Sequence, residues 1–141
     1  MTLRDVVIAM EAAALAQPSV QMVVPNDIFA LNTAKDARYG VFGWTQGEHR
    51  ADVPGGLMRY AFTLFYVDRL VDGQYNRLGV QSAGVQTLTN ILRALDAQDI
   101  PTEGEATFQS FNQRFVDECA GVFCRVTFLV AADTTCVQEY E

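Results

Sequence analysis

The chain has 141 residues, half of them apolar and 19% charged, with a formal net charge of −7. That length suits one domain with a real core, and the apolar share excludes a disordered chain. One lysine and nine scattered arginines leave no basic run to hold nucleic-acid phosphates.

Thr2 is a candidate N-cap, with Asp5 three residues on. Leu3, Val6, Val7, Met10 and Ala14 form one helical stripe, which predicts a helix over residues 3–17 that Pro18 stops. Arg4 and the apolar residues after it look superficially like a signal peptide. Asp5 and Glu11 interrupt that apolar region, and an amphipathic helix explains the same residues. No apolar run approaches the ~18 residues that span a bilayer.

Residues 19–24 read as a first strand, with Val20, Met22 and Val24 on one face. Residues 25–27 give a turn signal, residues 28–31 a short apolar piece and residues 32–36 a loop. Residues 39–45 read as a second strand, in which Gly40 and Gly43 suggest a bulge or a close backbone approach. Residues 46–56 are polar and predict an exposed hairpin loop.

Residues 59–70 are the stretch around which the fold is organised. Aromatic and β-branched residues dominate it up to Val67, without Gly or Pro. Tyr60, Phe62, Leu64 and Tyr66 share one face; Ala61, Thr63, Phe65 and Val67 share the other. Both faces are largely apolar, which predicts a central strand.

Asp72-Gly73 marks a turn. A second helix follows, starting between Asn76 and Ser82 and ending near Ala97, with Val85, Leu88, Leu92 and Leu95 as its core stripe and Ile91 beside it. Ser82 is a candidate N-cap. Residues 99–105 read as a polar linker. In residues 106–115 the spacing of Phe108, Phe111 and Phe115 breaks alternation and predicts a bulge near Ser110-Phe111. Residues 117–121 read as a tight turn. Residues 122–130 alternate cleanly, with Phe123, Arg125, Thr127 and Leu129 on one face. Residues 131–141 read as a polar tail.

The order α-β-β-β-α-β-β predicts an α+β domain, a mainly antiparallel sheet of about five strands with two helices on one face. Such a layer covers one face only. Trp44, Phe65, Val67, Phe123 and Leu129 are then left for the other face, where a second subunit is the natural cover. Asp68 and Arg69, with Asp72 nearby, offer either a charged contact to that subunit or a solvated strand end.

No catalytic constellation stands out, and no cofactor is expected. His49 lies near Glu48, Arg50 and Asp52, but no nucleophile or phosphate cradle accompanies it, so a solvated loop histidine explains it better. Asp117-Glu118 looks like a cation-binding pair but lacks further oxygen ligands, and a solvent-facing turn explains it. Cys119, Cys124 and Cys136 are odd in number and wrongly spaced, even with His49, for a metal knuckle. Buried reduced thiols are the simpler expectation.

Three stretches, Tyr39-Gly-Val-Phe-Gly-Trp-Thr-Gln-Gly-Glu-His49, Phe62-Thr-Leu-Phe-Tyr-Val-Asp-Arg-Leu70 and Phe115-Val-Asp-Glu-Cys-Ala-Gly-Val-Phe123, carry a resemblance. They resemble uncharacterised proteins encoded in tailed phages and prophages of gut Bacteroidales, over most of the chain. The size and order of elements are similar to phage tail terminator (tail completion) proteins, small α+β subunits whose ring, often a hexamer, caps the tail tube and joins it to the head. The resemblance implies a non-enzymatic virion protein, assembled in the host cytoplasm. Its partners would be copies of itself and other tail or neck proteins, with no membrane, small-molecule substrate or sequence-specific nucleic-acid contact. The alternative is a small prophage-encoded adaptor acting as monomer or dimer.

Overall fold

The computed structural model describes residues 1–25, 40–70, 76–114 and 118–132. Within them the chain forms α1 (Leu3–Leu15), β1 (Met22–Pro25), β2 (Val41–Gln46), β3 (Arg50–Asp52), β4 (Leu57–Arg69), α2 (Arg77–Asp96), β5 (Thr107–Arg114) and β6 (Glu118–Ala131). The fold is α+β. One six-stranded sheet runs β1-β2-β4-β6-β5, and β3 pairs with β4 off that path. The sheet is mixed: β1 and β2 are parallel, and the other described pairings are antiparallel. The expected turn at 25–27 and the segments at 28–36 fall outside the described residues, apart from Pro25. So do the Asp72-Gly73 turn and almost all of the expected tail.

Thr2 and Asp5 start α1 as a full capping box. The Thr2 hydroxyl accepts from the Asp5 amide at 3.2 Å, and the Asp5 carboxylate accepts from the Thr2 amide at 3.0 Å. This satisfies two amides that the helix itself cannot. The helix buries Val6, Met10, Ala13 and Ala14 and ends two residues earlier than expected. Val20 precedes β1 and enters the main core, whereas Val24 lies on the opposite face of the sheet.

β4 is the centre of the sheet. All thirteen of its residues are in register with β6, and its other edge pairs with β2 and then β3. Tyr60, Phe62, Leu64 and Tyr66 join Val122, Cys124, Val126, Phe128 and Val130 of β6 in the main core, together with Val6 and Met10 of α1 and Leu88, Ile91 and Leu95 of α2. Both helices therefore cover the same face.

Five expectations change. In α2 the buried residues are Val80, Gly84, Thr87, Leu88, Ile91 and Leu95, while Val85 is exposed. The helix packs closest at Gly84, where a β-carbon would sit 3.2 Å from the Tyr66 ring and Val122. Ser82 is an exposed residue inside the helix, not its cap. β5 has no bulge near Ser110-Phe111, because its register with β6 is unbroken. The uneven aromatic spacing arises because Phe108 packs on the main core and Phe111 on the other face.

The expected tight turn at 117–121 is strand from Glu118 onward. The polar linker is also ordered into the sheet. The Glu103 amide donates to the Thr127 carbonyl at 2.7 Å, the Leu129 amide donates to the Pro101 carbonyl at 3.0 Å, and Ile100 is buried.

Candidate functional site

The face of the sheet opposite α1 and α2 divides into two halves. In one half Val24, Val41, Phe65, Val67 and Cys119 form a second apolar cluster, with Met22, Phe111 and Phe123 packed against it. Phe65 is 2% exposed and Val67 fully buried. Both are thus covered within a single chain and are not free for a subunit partner. Phe65 lies over Gly43, its register partner. The glycine suspected of allowing a close approach does so here, for an aromatic ring.

In the other half the side chains become small and polar. Arg59 stands opposite Leu129, Ala61 opposite Thr127 and Thr63 opposite Arg125. Small residues between larger neighbours leave an open groove of about 260 Å³, whose lining includes Gly47 on one side and Glu103 and Glu105 on the other. Glu103 forms an ion pair with Arg59. The Arg125 guanidinium lies 5.6 Å from the centre of the Phe123 ring, a cation–π distance. Glu103, Glu105, Ala61 and Thr63 were legible as a linker and as spare strand positions. Only the strand register shows that they meet.

Trp44 does not lie on this face. It is buried in the main core, edge-on to Phe62 at 5.9 Å, and its indole N–H has no acceptor among the described residues. Asp68 accepts from the Arg69 amide at 2.8 Å and faces the Tyr66 hydroxyl at 3.5 Å. Its expected neighbour Asp72 lies outside the described residues. Arg69 is exposed, and Phe123 and Leu129 are half-buried.

His49 is not a solvated loop residue. Residues 46–56 are a short hairpin: the turn at 53–56 joins β3 to β4, and residues 47–49 bulge between β2 and β3. The imidazole fills the gap this bulge leaves in the ladder. The Ala61 amide donates to Nδ1 at 3.1 Å, and Nε2 lies 2.9 Å from Gln46 Oε1. An amide can only donate, so Nδ1 is unprotonated and Nε2–H donates to Gln46. The ring also packs against Tyr60 and Phe62. Both nitrogens thus serve the sheet.

Cys119 and Cys124 are buried, placed in the two clusters on opposite faces of β6. Neither a disulfide nor a shared metal can join them across the sheet. Burial pushes the Cys124 thiol up to about 11, so it is not a nucleophile near neutrality. Tyr66 is raised to about 12, first by burial and then by the Asp68 carboxylate. Among the described residues no three His, Cys, Asp or Glu side chains gather as metal ligands. Asp117 lies outside the described residues, so the Asp117-Glu118 pair has no described geometry. No protein-family model matches the chain, and no curated protein matches it.

Proposed function

We propose that this chain is a non-enzymatic subunit of phage virion assembly, a ring-forming tail terminator or neck protein. The open half of the face opposite α1 and α2 carries the reading. Its shallow groove, flanked by half-buried Phe123 and Leu129, has the shape of a protein-docking surface. The hairpin tip adds a second projecting contact, with Val53 82% exposed. The resemblance of the three quoted stretches to phage-encoded proteins supports the same assignment, and acidity suits a ring that passes DNA without holding it. The interface first expected at Trp44, Phe65, Val67, Asp68, Arg69, Phe123 and Leu129 narrows to Phe123, Leu129 and Arg69 with the groove.

One observation favours the adaptor reading. Phe65 and Val67 are covered by their own chain, so the apolar half of this face does not need a neighbour. Light scattering across concentration, with negative-stain imaging, separates the two. A closed ring in the wild type, taken apart into folded chains by Thr127→Arg or Leu129→Glu, is expected. A wild-type chain that stays monomeric and does not bind purified tails would overturn the virion reading.

A further inference from the structure

We infer that the outer edge of β5 pairs with β5 of a second copy of this chain, antiparallel about a twofold axis at Ser110. The two ends of the sheet are built differently. β1 is four residues long and stops at Pro25, two features that keep an edge from recruiting another strand. β5 has eight residues and an unbroken register with β6. From Thr107 to Gln113 it carries no charge and no proline. Thr107, Gln109, Ser110 and Asn112 are exposed, and among the described residues no strand covers the outer edge. From Thr107 to Gln113, and among the described residues, this edge has neither the shortness nor the proline that protects β1.

A second observation comes from α2. Gln81 Nε2 donates to the Phe111 carbonyl of β5 at 3.4 Å, so this side of α2 lies beside the edge. Leu78 and Val85 stand three residues before and four after Gln81, on the same helix face. They are 77% and 38% exposed. An open strand edge is therefore flanked by exposed apolar side chains, the combination that a protein partner covers.

Register and charge select a second copy as that partner. With Ser110 opposite Ser110 of the other copy, Gln109 meets Phe111 and Phe108 meets Asn112. Residues directly opposite each other share a face, so both α2 helices stay on one side of the extended sheet. The Leu78–Val85 stripes then meet across the junction. Two copies of a −7 chain repel over most of their surface, but this strand places no like charges opposite each other. The long Gln81 contact yields to a strand amide. Few residues take part compared with the ~20–30 per side of a standard interface, so the pairing is weak and depends on concentration. It is independent of the ring reading, because Ser110 lies on the edge and the ring variants lie on the groove.

The test uses Ser110→Glu and Ser110→Lys, exposed positions that leave the core intact. Native mass spectrometry and light scattering of the wild type should show a species of twice 15.6 kDa that grows with concentration. Each variant alone should lose this twofold species and keep any ring built through the groove, with an unchanged circular-dichroism melt. An equimolar mixture should restore the dimer as a Glu–Lys heterodimer, and Val85→Asp should weaken it. A wild type that is monomeric up to about 1 mM, the weak end of specific association, would overturn the proposal. So would a dimer indifferent to the charge at residue 110, or a mixture no more dimeric than its components.

Discussion

Gly43 and Phe65 show how a single residue sets the sheet. A methyl group at residue 43 would collide with the far end of the Phe65 ring, which packs over the glycine. Gly43→Ala should cost roughly 1–3 kcal/mol through overpacking, read as a lower urea midpoint. Combining it with Phe65→Leu should recover part of that loss, because the two positions share one space. If the double variant loses the sum of the single losses, the ring does not set the constraint. Titration makes a second residue-scale prediction. Tyr66 rises from 10.0 to about 12 and Cys124 from 9.0 to about 11. The folded chain therefore holds both protons more tightly than the unfolded chain. Stability from these groups is complete below pH 9 and is lost as pH rises toward 12. Urea midpoints should fall across that window, and Cys124→Ala should remove the lower part of the fall.

Among the elements, α1 was legible in the sequence because its signals are local. Thr2, Asp5 and the apolar stripe lie within one stretch of chain, and Pro18 ends it. Thr2→Ala should cost about 1 kcal/mol by leaving helix amides unsatisfied, a fall in melting temperature of about 2–4 °C. β4 and β6 were legible through alternation. What the sequence concealed was decided by distant partners. Val85 fits the helical period as well as Leu88, and only the position of the sheet leaves it outside. Phe108 and Phe111 suggest a bulge until both faces of the sheet are known to carry apolar clusters. Residues 46–56 and 99–105 are polar, yet their backbones complete the edges of the sheet. The groove was hidden for the same reason: Ala61, Thr63, Thr127 and Glu105 become a site only when register brings them together.

For the whole molecule, β4 is the strand with partners on both edges along almost its full length. Its amides, with those in the middle of β6, should exchange with solvent most slowly, at the free energy of global unfolding. Amides of β1 should exchange through smaller openings, because that strand is short and sits at the edge. Hydrogen exchange at increasing denaturant tests this; interior β4 amides that exchange before those of β1 would contradict it.

The pairing of β4 with β6 also sets an order of events during synthesis. When the ribosome has completed β4 and α2, the partner strand does not yet exist. One edge of the central strand then stands bare while more than twenty further residues are added, the condition under which nascent chains associate wrongly. Chains truncated before Glu118 should therefore be insoluble or bound to chaperones, whereas chains extended through Ala131 should fold. Residues 118–131 close the sheet, so a slow codon run just upstream of them should lower the yield of soluble protein more than the same run placed upstream of β1.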